Sequence, residues 1–277
     1  MKPLLLILCA QLVATAAYAL ELQGDPVQGG LIFGKVQVGT RIMLDDTPVQ
    51  VSADGRFVIG FGRDETGIRL LRLSSPDGSE EFRELAVIAR EYDLERVDGL
   101  PPRTVTPDPS AAERIRMEAI MVSRARSERD DRTDYAGGFN WPATGRISGV
   151  YGSQRILNGE PARPHFGLDI AAPEGTLVRA PADGVITLSH PDMYFSGGTI
   201  ILDHGQGLSS TFLHLSKLLV ETGMTVKKGE QIGRVGATGR ASGPHLDWRM
   251  NWMDRRVNPR PLLPEQPEIP AGFIRVN

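Results

Sequence analysis

The sequence has almost no cysteine, few aromatic residues, and no long apolar run after its first twenty positions. One cysteine, Cys9, stands among 277 residues, and the aromatic content is 6%. A single cysteine excludes intrachain disulfides, so stability must come from packing and from any bound metal. Acidic and basic residues nearly balance, at 34 and 31, and no basic tract stands out, so no nucleic-acid partner is expected.

The first nineteen residues have the organisation of a secretory signal peptide. Lys2 precedes an apolar run, Leu4–Leu8, and the segment ends in Ala17-Tyr18-Ala19. We predict cleavage after Ala19, which removes Lys2 and changes the formal net charge from −3 to −4. The apolar run is too short to span a bilayer, and no later segment is long enough either. We therefore expect a periplasmic or secreted protein without a stable membrane span in the mature chain.

Residues 20–100 are predicted to form a small N-terminal β-sandwich-like module. Short apolar or alternating runs are separated by Gly and Asp-Gly turns, at a spacing typical of an immunoglobulin-like sandwich. The module has no catalytic constellation, so positioning or docking is the role expected of it. The predicted strands are Leu31-Ile32-Phe33, Arg41–Leu44, Val49–Val51, Phe57–Phe61, Ile68–Leu73 and Leu85–Ala89.

Residues 101–136 are predicted to be a linker that carries a helix. Pro101-Pro102 marks the break, and Ser110 and Glu113 have the spacing of a capping box, which predicts a helix to about Arg129. The apolar stripe of this helix is thin, because arginine and acidic residues dominate it. We expect a connecting helix that lies along the surface, and a helix that docks on a partner is the alternative.

The remaining segments are a second β region and a tail. Gly and Pro-Ala-Asp-Gly turns recur through residues 137–262, which predicts a β domain and a chain that is mainly β overall. Residues 263–277 are a Pro-rich C-terminal tail. The predicted strands of the β domain lie near Thr176–Arg179, Gly184–Ser189, Gly198–Asp203 and Ser209–His214.

The clearest strand of the sequence starts at His245 and alternates strictly to position 252. Its apolar face is expected to be core, and its polar face must meet water, a cleft or a metal. His245 and Asp247 lie about 6.6 Å apart on that polar face, close enough for one site. Arg249 and Asn251 follow on the same face, where they either hold substrate carbonyls or carboxylates or simply line a solvated surface.

His165 and Asp169 form a second candidate pair. Four residues of straight strand would separate them by about 13 Å, so we infer a bend that Gly167 permits. His214 lies between the two segments in sequence, and three of the five histidines fall in these short stretches. Each short motif arises easily by chance, and a lone histidine is more often structural than a ligand. Together, imidazoles and carboxylates in this composition predict a metal-dependent hydrolase.

Two further histidines are assigned no chemistry. His204 follows an aspartate just before a turn and is expected to cap that turn rather than bind metal. His190 precedes a proline and is expected to lie at the surface.

From about residue 145 to residue 260 the sequence resembles the lysostaphin-type (LytM) zinc metallopeptidases. The order and spacing of the matching motifs agree throughout. The resemblance implies a C-terminal duplicated hybrid motif, rich in β-structure, that cuts peptide bonds in bacterial peptidoglycan. The matching motifs are Gly149-Val150-Tyr151-Gly152, His165-Phe166-Gly167-Leu168-Asp169, Ala180–Val185, Leu202–Gly205, Phe212–Leu215, Val226–Glu230, Gly236–Gly239 and Gly243–Asp247.

The resemblance also implies roles for individual residues. His165 and Asp169 match the zinc ligands of the family, and His214 and His245 match its catalytic histidines, which activate or orient the attacking water and stabilise the oxyanion. The third ligand of the family is the second histidine of an H-x-H motif, and Asp247 stands at that position here. A carboxylate binds zinc at nearly the distance of imidazole, so one Zn2+ per chain is expected, with Mn2+ or Fe2+ as less favoured ions.

The function predicted from the sequence is hydrolysis of peptide cross-links in peptidoglycan by a zinc-dependent endopeptidase, with stem peptides as substrate. The main alternative is a weakened or inactive LytM-type domain that activates another cell-wall hydrolase or binds an envelope protein. A third possibility, a lipoyl- or biotinyl-type carrier domain, lacks a lysine displayed at a tight hairpin tip. It also leaves the histidines unexplained.

Overall fold

The computed structural model describes residues 20–97, 109–157 and 159–268, and the predicted signal peptide and the end of the predicted tail lie outside them. Residues 20–97 form eight strands. In the order β1 to β8 these are Glu21–Gln23, Leu31–Lys35, Arg41–Leu44, Thr47–Val49, Arg56–Gly60, Gly67–Ser74, Glu80–Val87 and Leu94–Val97.

Seven of these strands form two antiparallel sheets with the orders β1-β2-β5 and β4-β3-β6-β7. Phe57 and Ile59 alternate inward on β5, and Leu44 and Leu71 do so on β3 and β6, and all four are fully buried. Apolar side chains at every second position give each sheet one face that must be covered, so the sheets pack together. The predicted sandwich-like module agrees with this arrangement.

One α-helix, α1, spans Ala112–Ala125 and connects the module to the rest of the chain. The predicted capping box does not set its start, since Ala111 holds the cap position, and it ends four residues before the predicted Arg129. Val122 and Ala125 pack against Leu188, Met193 and Ile201, so the helix lies on one face of the large C-terminal sheet.

The C-terminal region contains thirteen strands among the described residues. In the order β9 to β21 these are Arg146–Gly149, Gln154–Leu157, Glu160–Pro161, Gly167–Ala171, Leu177–Arg179, Gly184–Met193, Gly197–Asp203, Leu208–Leu215, Lys217–Leu218, Thr225–Val226, Gln231–Arg234, His245–Trp252 and Arg255–Val257. A large eight-stranded sheet has the order β18-β14-β15-β16-β20-β12-β9, with β21 beside β20, and two three-stranded sheets have the orders β13-β19-β17 and β11-β10-β8. The fold is mainly β, as predicted.

The N-terminal module and the C-terminal sheets share one hydrophobic core. A Cβ at Gly60 of the module would lie 2.8 Å from Trp252 Cβ, so only glycine allows this close packing. Phe33 packs against Tyr135 with ring centroids 5.2 Å apart. The last module strand, β8, also pairs in parallel with β10. These contacts fix the module against the domain that carries the candidate site.

The length and polarity of α1 are those of a helix at a protein surface. It has 14 residues, and within the described ranges no helix has the length and apolar content needed to cross a membrane.

Candidate metal centre

The site is built on the polar face of β20. Leu246, Trp248, Met250 and Trp252 are fully buried on the opposite face, because the strand has a period of two and four apolar side chains in alternate positions. Asp247 lies opposite Asp169 of β12 on one side and opposite Leu213 of β16 on the other. Pairing in the centre of the sheet therefore brings two aspartates from distant parts of the sequence together.

His165 completes this group from the segment that precedes β12. Its backbone N–H donates to Ser153 O at 2.8 Å, which holds the residue outside the regular strand, as the predicted bend requires. His165 Nε2 lies 3.2 Å from Asp169 Oδ1. The potential ligand atoms of His165, Asp169 and Asp247 all lie within 4.8 Å of one another.

Two observations show that this cluster fits a cation. His165 Nε2 and Asp169 Oδ1 are buried, and neither has a hydrogen-bond partner among the described residues. Buried polar atoms in proteins are normally hydrogen-bonded, so a ring nitrogen and a carboxylate oxygen that face each other without a hydrogen bond suit a shared ion. Glycines also make room for the carboxylates, since a Cβ at Gly149 would clash with Asp169 and one at Gly167 with Asp247.

Arg249 holds the third carboxylate of the cluster. Its Nε lies 3.0 Å from each carboxylate oxygen of Asp247, and its Nη2 also donates to Oδ2. The Asp247 side chain is only 3% exposed. Burial opposes ionisation, but the charge and hydrogen bonds of Arg249 outweigh it and hold the pKa of Asp247 below its usual value. Asp247 is therefore a carboxylate even without a metal, with Arg249 as its built-in counter-ion.

The two remaining histidines stand side by side next to the cluster, with ring centroids 4.8 Å apart. His214 Nδ1 lies 2.8 Å from Thr238 O, and His245 Nδ1 lies 2.8 Å from Gly243 O. A carbonyl oxygen only accepts, so each Nδ1 carries a proton, and in a neutral ring the lone pair is then on Nε2. Burial lowers the pKa of His214, which favours the neutral ring near pH 7.

His204 and His190 lie apart from this constellation. His204 is completely buried, with Nδ1 2.7 Å from Asp183 O and Nε2 2.8 Å from Ser210 Oγ, so both ring nitrogens are occupied. His190 Nδ1 accepts from the backbone N–H of Asp192 at 3.2 Å. His204 is thus a core residue rather than the turn cap expected from the sequence.

A β-rich domain that presents a His–Asp–Asp cluster beside two further histidines belongs to the class of metallopeptidase-type domains. Residues 163–259 match the model of peptidase family M23. A crystal structure of a peptidase M23 from Pseudomonas aeruginosa is similar over 85% of this chain and 93% of that chain, with 30% identity and a TM-score of 0.67. The chain belongs to peptidase family M23, and the lysostaphin-type resemblance of its sequence is confirmed.

Curated relatives align with part of the chain. The peptidoglycan DD-endopeptidase ShyA of Vibrio cholerae is 42% identical over 97 residues, which are 34% of this chain and 22% of the relative. The DD-carboxypeptidase/endopeptidase Mpg of Neisseria meningitidis is 38% identical over 137 residues, which are 49% of this chain and 30% of the relative. The alignments thus span less than a third of the length of either curated relative.

The sequence alone indicated the three residues of the His–Asp–Asp cluster and the two adjacent histidines. It did not indicate which hydrogen bonds and ion pairs orient these five side chains. The pairing of Arg249 with Asp247 was not foreseen, although the alternation of β20 places both on one face. The carbonyl partners of the histidines come from turns whose geometry short-range patterns do not predict. Only the glycine at position 167 gave an advance signal, as a residue that permits close approach.

Proposed function

We propose that this chain is a metal-dependent endopeptidase that hydrolyses peptide cross-links of bacterial peptidoglycan. The observation that carries the proposal is the convergence of His165, Asp169 and Asp247 within 4.8 Å, beside the paired rings of His214 and His245. The family supplies the reaction class, and the relatives named as DD-endopeptidases supply the substrate class.

In this proposal His165, Asp169 and Asp247 hold one divalent ion, and zinc is the first choice. When bound, such an ion acts as a Lewis acid toward the scissile carbonyl and makes water a better nucleophile at neutral pH. The donor set of one imidazole and two carboxylates is richer in oxygen than a two-histidine set, which leaves manganese and iron as alternatives. Arg249 fixes the orientation of the Asp247 carboxylate and leaves room for a second contact, because a carboxylate offers about four lone-pair sites.

His214 and His245 are proposed to handle the proton and the developing oxyanion. Each Nδ1–H is anchored on a backbone carbonyl, so each free Nε2 has a fixed direction. One Nε2 accepts a proton from the attacking water and later returns it to the leaving amine, as a general base and then a general acid. The other ring, once protonated, donates a hydrogen bond to the tetrahedral oxyanion.

The setting proposed for this reaction is the periplasm or the cell exterior, with stem peptides of the wall as the partner. The N-terminal module is proposed to position the enzyme, since it packs against the C-terminal domain through a shared core. Its own interaction partner is expected to be an envelope component.

The test is digestion of isolated peptidoglycan by the purified chain, with metal content measured in parallel. We expect about one divalent ion per chain, release of soluble muropeptides, loss of activity on chelation, and recovery when zinc is added back. His165→Ala is expected to lose both metal and activity, whereas His190→Ala serves as the matched control and keeps both. A chain that takes up none of zinc, manganese or iron would defeat the enzyme proposal.

A second function is favoured by one specific observation, the contact of Arg249 with both Asp247 oxygens. If this ion pair excludes metal, the chain is a non-catalytic domain that binds and activates another wall hydrolase. The distinguishing experiment adds the metal-free chain to a separate purified wall hydrolase and measures the rate of peptidoglycan release. Stimulation by a chain that itself cuts nothing supports this second function.

A further inference from the structure

Three arginines gather on the site face of the large sheet, and we call Arg126, Arg249 and Arg256 the arginine cluster. Arg249 lies opposite Thr211 of β16, and Arg256 of β21 lies opposite Asn251 of β20. Arg126, which follows α1, reaches the same row, where its Nη2 donates to Thr211 Oγ1 at 2.8 Å. The β20–β21 hairpin and the distant segment after α1 therefore place positive charge one and two residue rows away from Asp247.

The charge of this cluster is only partly compensated. Arg249 is paired with Asp247, which also faces the candidate metal position. Arg256 donates to the neutral amide oxygen of Asn251 at 2.9 Å, and Arg126 donates to a neutral hydroxyl. Within the described ranges neither Arg126 nor Arg256 forms an ion pair, since the side-chain partner of each is neutral. Among the described residues, two partly enclosed guanidinium groups thus have no carboxylate partner.

The guanidinium groups of this cluster disfavour one another's charge. Burial and the neighbouring guanidinium groups of Arg256 and Arg249 lower the pKa of Arg126 well below its usual value. Burial together with Arg249 and Arg163 lowers the pKa of Arg256 to about 10. Folded proteins rarely keep like charges together in a low-dielectric position unless an anion relieves the repulsion.

The region of the arginine cluster also contains hydrogen-bond donors that have no acceptor among the described residues. Arg126 Nε and Ser209 Oγ are buried, and no described residue accepts a hydrogen bond from either. Ser209 is 2% exposed and lies opposite Asn251, in the row that contains Arg256. Buried donors without partners are uncommon and point to a ligand that supplies the missing oxygens. Guanidinium forks match the two oxygens of a carboxylate in both spacing and charge.

We propose that the arginine cluster is a binding subsite for a carboxylate of the peptide substrate, an inference that rests on the proposed function. Successive residue rows on one sheet face lie about 6.6 Å apart, because side chains that point to the same face are two residues apart along a strand. The cluster is therefore about 7–13 Å from Asp247, the length of two to four residues of extended peptide. The carboxylate recognised is one that lies a few residues from the bond to be cut, at a peptide C-terminus or on an acidic side chain.

The experiment measures peptide binding by calorimetry to the metal-loaded chain and to the chelated chain. The probes are N-acetyl-D-alanyl-D-alanine, its C-terminal amide, and the same amide extended by D-glutamate to present a side-chain carboxylate. The variants are Arg126→Met and Arg256→Gln, and Arg116→Met is the matched control because Arg116 is an exposed helix residue paired only with Glu113. The chelated chain removes any direct contact between carboxylate and metal.

We expect at least one carboxylate probe to bind about tenfold or more tightly than the neutral amide, in both states and in Arg116→Met. The probe that binds tells a C-terminal from a side-chain carboxylate. We expect Arg126→Met and Arg256→Gln each to lose most of that preference while keeping their fold by circular dichroism. Equal binding of acids and amide, no binding of any probe, or an undiminished preference in both variants would overturn the subsite.

The proposed function fails separately from this inference. A chain that digests peptidoglycan yet does not distinguish acid from amide refutes the subsite alone. A chain that prefers the acid but never cuts peptidoglycan supports the subsite and refutes the endopeptidase.

Discussion

Replacing Asp247 by alanine separates two roles that the structure gives to one carboxylate. Asp247 faces His165 and Asp169 as a candidate ligand, and it is also the counter-ion of Arg249. The substitution Asp247→Ala should therefore weaken metal binding and destabilise the fold at the same time. A second substitution, Arg249→Met, distinguishes these effects because it removes the charge that the first one leaves unpaired.

The expected magnitudes follow from the surroundings. Loss of a direct ligand should lower the metal affinity by at least roughly 10–100-fold, which is the loss typical when a residue that only supports a ligand is changed. Breaking a fully buried ion pair costs about 3–5 kcal/mol, but the Arg249 side chain is 25% exposed, so water offsets part of the loss. We expect about 2 kcal/mol of lost unfolding free energy in Asp247→Ala, in line with a hydrogen-bonded charged group. The double variant should recover most of that stability and none of the metal affinity.

The assay combines competition against a chromophoric zinc chelator with urea unfolding of the chelated protein. Asp247→His restores the ligand type of the family and should keep the metal. Asp247→His also removes the ion-pair partner of Arg249, so the unfolding free energy of this variant should fall as in Asp247→Ala. If Asp247→Ala binds zinc as tightly as the parent and digests peptidoglycan as fast, Asp247 is no ligand and the assignment of the cluster is wrong.

Three further predictions follow from other parts of the structure. His214→Ala should change the zinc affinity by no more than a few fold but lower the rate of muropeptide release by about 10²–10⁴-fold, because His214 is proposed to transfer a proton and not to bind the ion. A parallel loss of metal would contradict this. A fragment of residues 137–277 should have a melting temperature, followed by circular dichroism, far below that of the full chain. Removing the module exposes Trp252 and other core residues, and burial of each such side chain contributes about 1.5–3 kcal/mol to stability. An unchanged melting temperature would show that the module is dispensable for stability. Complete burial lowers the pKa of His204 to about 4, so between pH 4 and 6.5 this histidine binds more protons in the unfolded chain than in the folded chain. The contribution of His204 to stability should therefore rise by up to about 3 kcal/mol as the pH increases through this window. Urea titrations should show that His204→Gln loses this slope, and an unaltered slope would argue against the assignment.

The parts of the fold that were predictable depend on short-range periodicity. Four apolar and four polar residues alternate from His245 to Trp252, and the strand observed has those bounds. The mainly β character was predictable from the many turn signals, which are also short-range patterns. The helix ends earlier than predicted, at Ala125, and the next residue, Arg126, turns toward Thr211 instead of continuing the helical face.

The parts that were not predictable depend on contacts between distant segments. The spacing of His165 and Asp169 required a bend, but only the hydrogen bond to Ser153 shows how that bend is held. No local pattern connects Arg126 to Arg256, which are 130 positions apart in the sequence yet raise the charge of one surface. The core shared by module and sheet is equally invisible in sequence, since each half shows only its own alternation.

The most direct test of the proposed endopeptidase activity is the reaction of the zinc-loaded chain with a purified, peptide-cross-linked muropeptide dimer, followed by mass spectrometry. We predict two monomers whose combined mass exceeds that of the dimer by one water, with a new amine and a new carboxylate at the cross-link. The products should vanish in the chelated chain and in His165→Ala. An intact dimer after incubation with a chain shown to contain zinc, or cleavage at a sugar linkage instead of a peptide bond, would contradict the proposed activity.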